Sequence, residues 1–463
     1  MQWTVRLEAR TSAGEVKATE LVTFSRPGPV STLAEIGLML AETKTLLAKL
    51  QASIVCGQVA AYAAHHRVCA ACGMLRPLKE RRTRRLQTLF GTVEVEAPRF
   101  KVCRCRLTMP VAGMTVSPVC ALLTARCTPE LERVQAELGA RISFRDGARI
   151  LESLLPASSA NHESLRTRTH AVALQLEADD RQAATEGMAV RNMPDQAAAA
   201  DEHRPIVMLD GAYIRAVSGH QTRNFEAICG KVEREGQPTR RFAVVRSVAE
   251  QPSALLRAAL LDQGWRHGEP VTAISDGDPA LPALVRSATG GPVEYILDWF
   301  HLSMRVHHVE QVMWGLCALE PLPVAPLDHA RIDVERLRHL LWNGHHDKAY
   351  EALSRITSWA KDAIMLAEPG VEEKARRLVA RCKELRSYVE NNEGALIDYG
   401  QRYRAGKPIS TSRAEGTVNQ LVNARMNKRR QMRWSPRGAH RVLQVRAAVL
   451  DGRFGHQAIQ LAA

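Results

Sequence analysis

Residues 205–211 read Pro-Ile-Val-Met-Leu-Asp-Gly, and residues 271–277 read Val-Thr-Ala-Ile-Ser-Asp-Gly. Each is an apolar run that ends on an acid and a glycine, a pattern that predicts a buried β-strand with a carboxylate at its C-terminal end. Further strand-like runs occupy residues 225–232, 241–248 and 293–297. Three strands in hairpin-like succession, followed by strands that alternate with helical sequence, predict a mixed sheet covered by helices.

Three acids in these surroundings are candidate ligands of hard metal ions. Asp210 and Asp276 end two of the predicted strands, and Glu415 is the only acid among twelve Lys or Arg residues between positions 402 and 446. Such ligands suit phosphodiester chemistry, because Mg²⁺ or Mn²⁺ prefers carboxylate oxygens and two ions about 3.5–4 Å apart can serve the attacking and the leaving oxygen. Ser412 and Glu415 also match a capping box, so helix capping stays open as the role of Glu415.

Composition sets limits on the class of protein. A chain of 463 residues is expected to hold two or three domains, and its net charge of +14 predicts a polyanionic partner, with nucleic acid favoured over a membrane surface. The sequence contains no run of eighteen apolar residues and no secretion signal. It therefore predicts a cytoplasmic protein without a membrane span.

Four cysteines have the spacing of a structural metal site. They form two close pairs about thirty residues apart: Cys69, Cys72, Cys103 and Cys105. Four thiolates suit tetrahedral Zn²⁺ and leave no coordination position open for chemistry. The second pair is Cys-x-Cys rather than the usual Cys-x-x-Cys, His65 and His66 are possible substitute ligands, and simple burial of the cysteines remains the alternative.

Two basic groups are predicted to contact DNA phosphates. The first, Arg81, Arg82, Arg84 and Arg85 together with Lys79, is predicted to form a loop beside the zinc site, with a merely solvated loop as the alternative. The second is the basic tail: Arg425, Lys428, Arg429, Arg430 and Arg433.

Helical patterns precede the predicted sheet. Apolar residues at alternating steps of three and four, from Leu33 to Ile54, predict a heptad helix capped near Ser31 that either docks on its own core or dimerises as a coiled coil. Residues 129–184 are predicted helical, with Ser143 and Asp146 at a helix start. This part is predicted to be either a helix-turn-helix in which Arg166 and Arg168 read DNA, or a plain helical linker domain. Residues 185–203 are predicted to be a flexible linker.

The order and spacing of these motifs resemble bacterial insertion-sequence transposases with an Asp-Asp-Glu catalytic triad. The closest resemblance is to the ISKra4 group, with kinship to the ISL3, IS256 and Mutator-like groups, and it covers residues 205–449. The triad falls on Asp210, Asp276 and Glu415, with separations of 66 (276 − 210) and 139 (415 − 276) residues. The resemblance implies a ribonuclease-H-like mixed sheet with an all-helical insertion between the fifth strand and the last helix.

Related groups carry Cys-x-x-His after the fifth strand, where this chain has Asp298-Trp-Phe-His301. In a ribonuclease-H-like sheet the fourth strand neighbours the first, and the fifth lies one strand further out. Asp298 and His301 are therefore predicted to be a supporting pair, with Asp298 at the N-cap of the next helix. A direct metal role for Asp298 in place of Asp276 is the alternative.

The resemblance also implies a function and its partners. The enzyme would bind double-stranded DNA at the element's terminal repeats and at the target, cut the ends and join them to the target, acting as a homodimer or higher oligomer associated with the nucleoid. Two other functions remain open. One is a nuclease or junction resolvase that does not join strands, and the other is a non-catalytic DNA-binding regulator.

The predicted architecture is multidomain, mixing α+β and α/β parts. It comprises an N-terminal strand and heptad helix (1–64), a four-cysteine zinc-binding module (65–128), a helical DNA-binding domain and linker (129–200), the first part of the ribonuclease-H-like core (201–320), a helical insertion (321–400), and the last core helix with the basic tail (401–463).

Overall fold

The computed structural model describes residues 1–10, 14–26, 28–30, 32–103, 105, 114–156, 161–189, 204–319, 327–366, 369–411, 416–426 and 432–454. The chain divides into two compact units, Met1–Val172 and Ala173–Ala463. The boundary lies within one helix, α5 (His162–Ala189).

The first unit contains two antiparallel sheets. Strands β1 (Gln2–Arg10) and β2 (Val16–Ser25) form a hairpin. The second sheet has the order β3-β4-β5, with bounds Leu78–Thr88, Gly91–Lys101 and Thr115–Val116. Alternate residues of β4, among them Val93 and Val95, are buried against helix α1 (Leu40–His65), as the period of two predicts for a half-buried strand.

Helix α1 differs from the predicted heptad helix. It begins at Leu40, because Leu33–Glu35 forms a short 3-10 helix and Gly37 turns the chain with a φ of 83°. Ser31 lies outside the described residues. The predicted seam is exposed or half-buried, whereas the fully buried residues of α1, which pack on the sheet, are Val55, Val59 and Ala63. The helix thus docks on its own core, but through a different face from the one predicted.

Helix α1 also bears on the membrane prediction. Of the helices that the structure describes, it alone is long and apolar enough to cross a membrane, and only 17% of its most apolar stretch is buried. One such helix is weak evidence for a span, since a core helix has the same length and composition. Its contacts with β4 supply that second explanation.

A helical segment completes the first unit. After the short helix α2 (Pro118–Leu122) come α3 (Pro129–Arg141), α4 (Phe144–Leu154) and the start of α5. The predicted capping is confirmed, because the Ser143 hydroxyl accepts a hydrogen bond from the Asp146 backbone N–H. The predicted linker is wrong over residues 185–189, which continue α5. Residues 190–203 lie outside the described part of the chain.

The second unit is built on one five-stranded sheet. Its strands are β6 (Ile206–Arg215), β7 (Asn224–Glu233), β8 (Arg240–Val245), β9 (Val271–Ser275) and β10 (Val293–Leu297). Their spatial order is β10-β9-β6-β7-β8. Strands β6, β7 and β8 pair antiparallel, while β9 and β10 extend the sheet parallel to β6. The predicted mixed sheet is confirmed, including the fourth strand beside the first.

Helices bury both faces of this sheet. Val207 and Leu209 of β6 pack into one apolar cluster with α6 (Pro252–Asp262) and α7 (Ala280–Thr289). Met208, which points to the opposite face, packs into a second cluster formed mainly by the following helices. Because both faces are covered, the strands read as nearly continuous apolar runs.

The second cluster confirms an extended helical segment after the fifth strand. Its helices are α8 (Trp299–Cys317), α9 (Leu327–Trp342), α10 (His346–Leu366) and α11 (Pro369–Asn391), followed by the short α12 (Tyr399–Arg404). Residues 419–423 form one turn of π-helix, and the last described helix, α13 (Pro436–Leu450), packs on β8.

Candidate functional site

Asp210 lies in the middle of β6, not at its end as predicted. The strand continues to Arg215 because β7 pairs with it along its whole length, and Asp210 stands opposite Cys229. The parallel pairing with β9 stops earlier, at Met208 and Ile274. Asp210 therefore lies just beyond the point where β6 and β9 separate.

Asp276 follows β9 directly, as predicted. Its backbone carbonyl accepts a hydrogen bond of 2.7 Å from the Tyr388 hydroxyl of α11. Gly277 has a φ of 96°, and a Cβ there would meet the Asn392 side chain at 3.0 Å. Both the positive φ and the close approach require glycine, so α11 packs tightly against the loop that carries Asp276.

Asp298 is fully buried at the end of β10 and forms the N-cap of α8, as predicted. Its Oδ1 accepts hydrogen bonds from the backbone N–H groups of Phe300 (2.8 Å) and Thr411 (3.1 Å). Its Oδ2 accepts one from the Thr411 hydroxyl and lies 3.7 Å from Nε2 of His301. Asp298 therefore joins the start of α8 to the segment that precedes residues 412–415.

The carboxyl of Asp210 interacts electrostatically with His301, Asp276 and Asp298. Burial raises its pKa to about 6; the nearby His301 opposes this shift, whereas Asp276 and Asp298 reinforce it. Asp210, Asp276, Asp298 and His301 therefore interact electrostatically near the C-terminal ends of β9 and β10. Glu415 lies outside the described residues, as do Lys428, Arg429 and Arg430.

The raised pKa predicts how stability depends on pH. Because the pKa of Asp210 lies near 6 in the folded protein and near 3.8 ordinarily, the folded state binds more protons between these values and stability falls as pH rises through this window. Asp210→Asn should therefore stabilise the metal-free protein by roughly 2 kcal/mol at pH 7–8 and have little effect near pH 4. Calorimetric melting from pH 4 to 8 measures this. The exposed Asp362→Asn on α10 is the control, and equal pH profiles for Asp210→Asn and wild type would contradict the expectation.

The carboxylates are suited to a hard cation, but the described residues supply only part of a site. Oxygen donors fit Mg²⁺ or Mn²⁺, and a cation would favour the ionised form of Asp210, whose pKa is raised by burial and by the neighbouring acids. Within the described ranges, however, no three carboxylates have oxygens within 4.8 Å of one another. The predicted third ligand, Glu415, falls in the undescribed segment 412–415.

The four predicted cysteines come together in the first unit. Their Sγ atoms all lie within 4.8 Å of one another, with 3.6 Å from Cys69 to Cys105 and 3.4 Å from Cys72 to Cys103. Sulfurs around a tetrahedral zinc with bonds of about 2.3 Å are about 3.8 Å apart, so the cluster has nearly the required size. The four cysteines can therefore hold a metal ion such as zinc. His65 and His66 are not part of the group.

Local backbone structure prepares this cluster. The Cys69 N–H donates to the Met74 carbonyl, and Gly73, with a φ of 70°, donates to the Cys69 carbonyl. Backbone N–H groups of Ala71 and Cys72 lower the pKa of Cys69 to about 6, while the neighbouring thiols raise the pKa of Cys105 to about 12. Four thiolates in contact repel each other, and a divalent cation is what would allow all of them to ionise.

The first predicted DNA-binding group lies on a strand, not in a loop. Arg81, Arg82, Arg84 and Arg85 belong to β3, which pairs with β4 along its length. Glutamates of β4 lie across from the arginines, and Arg81 pairs with Glu96 and Arg85 with Glu94, each at 2.8 Å. This surface is closer to charge balance than the basic run alone suggests.

The two arginines of the predicted recognition helix differ from each other. Arg168 is half-buried and donates to the side chains of Gln135 and Gln87, so its guanidinium is held by contacts within the first unit. Arg166 is exposed and pairs with Glu163 at 2.6 Å. Of the two arginines predicted to read DNA, Arg166 is the one whose side chain is exposed.

In the basic tail, Arg425 is also misassigned by the sequence prediction. It is fully buried, and its guanidinium lies 4.9 Å from the ring centroid of Trp434. We expect Arg425→Ala to destabilise the second unit by on the order of 3 kcal/mol, because it removes a large buried side chain. Thermal melting measures the loss. Arg433→Ala, at an exposed position, should leave stability unchanged, and comparable losses in both variants would contradict this assignment.

Two residues of the site carried no signal in the sequence. Tyr388 lies in a long amphipathic helix, and only its hydrogen bond to the Asp276 carbonyl identifies it as a residue of the site. Thr411 precedes the Ser412–Glu415 motif and is recognised only through Asp298. No protein-family model matches the chain, and no curated protein is significantly similar to it.

Proposed function

We propose that the chain is an Asp-Asp-Glu DNA transposase on a ribonuclease-H-like core, of the kind found in the ISKra4 group of insertion sequences. One observation carries the proposal: the carboxyl of Asp210, on the central strand, is electrostatically coupled to Asp276 at the end of the adjacent parallel strand. Strands that neighbour each other in a sheet but are far apart in sequence thus converge on one acidic site.

The sheet supports the fold part of the proposal. Three antiparallel strands followed by two that extend the sheet parallel to the first, in the order β8-β7-β6-β9-β10, is the arrangement expected of a ribonuclease-H-like core. The helices that follow the fifth strand occupy the expected place of the helical insertion. Fold alone does not establish activity, so the functional argument rests on the acidic site.

In this proposal Asp210 and Asp276 hold Mg²⁺ or Mn²⁺, with Glu415 as the third ligand. The bound ions would activate the attacking oxygen and stabilise the leaving oxygen of the phosphodiester. The protein's own contribution is positioning. Asp298 fixes the segment that leads to Glu415 through Thr411, and Tyr388 fixes the backbone of Asp276.

The partners follow from the same proposal. The substrate is double-stranded DNA at the ends of the element and at the target, and the active form is a homodimer or higher oligomer associated with the nucleoid in the cytoplasm. The net charge of +14 supports a polyanionic partner. The cysteine cluster would hold a structural zinc ion in the first unit.

The deciding experiment uses the DNA that flanks the coding region in its genome. Purified protein is incubated with labelled duplex ends, a target plasmid, and Mg²⁺ or Mn²⁺, and both nicking and joined products are measured. Nicking without joining would instead indicate a nuclease or resolvase, and binding without cleavage a regulator. A second readout is independent of activity: Mn²⁺ should raise the melting temperature of wild type more than that of Asp210→Asn.

A further inference from the structure

A basic groove lies between α8 and α11 in the second unit. Its cavity of about 340 Å³ is lined by His308, Lys374, Arg377 and Arg381, with only Val312 and Gly315 as apolar lining residues. Three of the seven lining residues, Lys374, Arg377 and Arg381, are permanently cationic, so the lining favours a charged ligand. The sign of the lining requires that ligand to be an anion.

Of these cations, Lys374 and Arg377 keep most of their charge available, whereas Arg381 does not. Glu384 pairs with Arg381 at 2.6 Å and with Arg305 at 3.1 Å, so part of that charge is neutralised. Lys374 donates to the Gly315 carbonyl at 2.8 Å, which holds the ammonium in the wall without neutralising it. Arg377 is exposed, and no acid of the described chain lies within ion-pair distance of it.

The two helices that line the groove also contact the acidic site, through residues outside the groove itself: Asp298 caps α8, and Tyr388 of α11 lies against Asp276. The guanidinium of Arg305 lies 4.0 Å from the centroid of the Tyr388 ring, and Tyr388 in turn donates to the backbone carbonyl of Asp276. From Tyr388 back to Lys374 is fourteen residues of α11 (388 − 374), about 21 Å at 1.5 Å per residue. That length corresponds to about six base-pair steps along the axis of a duplex, at 3.4 Å each.

We propose that the α8–α11 groove binds the sugar-phosphate backbone of the DNA that extends away from the acidic site. Lys374 and Arg377 contact phosphates and hold the strand in register, while Arg305 and Tyr388 form the end of the track beside Asp276. The inference rests on the proposed function for the identity of the polyanion as DNA. These cations were not part of either basic group predicted from the sequence, because they are spaced along a helix among acids instead of forming a run.

The test compares two double variants of the full-length protein that remove equal charge from one helix. Lys374→Ala with Arg377→Ala removes two of the cations that line the groove, and Arg376→Ala with Lys383→Ala removes two exposed cations that do not line it. Binding to duplex DNA is measured between 50 and 200 mM salt. The groove variant should lower the slope of log K against log salt by about two and weaken binding roughly tenfold, because each phosphate contact contributes about 0.9 to the slope.

Other arms of the experiment separate the possible failures. If the double variant folds poorly, Arg377→Ala alone serves as the test, since it breaks no ion pair within the described residues. It should reduce the magnitude of the slope by about one. Equal losses in the groove and control variants, or competition by millimolar inorganic phosphate with an unchanged slope, would overturn the inference. If the wild-type protein binds DNA through the groove but never nicks it, the result would support the groove as a DNA-binding site and contradict the transposase proposal.

Discussion

Asp276→Asn should abolish metal-dependent cleavage of DNA ends while leaving DNA binding intact. The substitution keeps the size of the side chain but removes the negative charge that a divalent cation requires. The Asp276 backbone, held by Tyr388, and the tight turn at Gly277 do not depend on that charge. Cleavage rates with Mg²⁺ and Mn²⁺, binding affinity and melting temperature are measured on the same preparation. A loss of at least 10³-fold in rate is expected, about 4 kcal/mol of activation free energy.

Asp298→Asn is the matched comparison, since it removes the same charge one strand further out. Asparagine Oδ1 can still accept the hydrogen bonds from the Phe300 and Thr411 N–H groups, and its amide can donate to the Thr411 hydroxyl. This variant should therefore retain measurable cleavage. Asp298→Ala should lose stability, because it leaves the N-cap and Thr411 without their acceptor. If Asp298→Asn is inactive and Asp276→Asn is active, the triad is Asp210, Asp298 and Glu415.

The sheet could be predicted well from sequence because its strands are short, apolar and buried on both faces. The boundaries of β10 match the prediction, and β9 ends one residue before its acid. Strand β6 extends further than predicted, because pairing with β7 carries it through Asp210 to Arg215. A local apolar pattern indicates which residues are buried, but it does not indicate how far a strand continues by pairing with its neighbour.

The charged residues were predicted less well, and the reason is physical. A basic run in sequence shows neither cross-strand partners nor burial. The arginines of β3 face glutamates, Arg168 bonds to glutamines, and Arg425 is buried beneath Trp434. By contrast, Asp276 and Asp298 were placed correctly because each directly follows the last paired residue of a short buried strand. A pattern of charge in the sequence therefore does not show which cations are paired and which are buried.

Removing zinc should unfold the β3-β4-β5 sheet of the first unit and leave the second unit folded. The cysteine cluster lies at the open end of the β3–β4 hairpin, where Lys101 N–H donates to the Pro77 carbonyl between the two cysteine pairs. Structural zinc sites contribute about 10–16 kcal/mol of apparent binding free energy, more than a small sheet can replace by burial. Cys72→Ser or Cys103→Ser should therefore eliminate bound zinc and the first of two calorimetric transitions, with the second transition unchanged.

The control is Cys56→Ser on α1, since Cys56 is exposed, lies outside the cluster, and donates to the Glu94 carbonyl at 3.5 Å, a bond that serine can make. This variant should keep about one zinc per chain and both transitions. Metal analysis and thiol titration of the folded wild type decide the matter directly. Absence of zinc together with four freely reactive thiols would show that the cluster is not a metal site. Loss of zinc with no change in melting would show that the ion is bound but does not support the fold, because a site that contributes folding free energy cannot be emptied without cost.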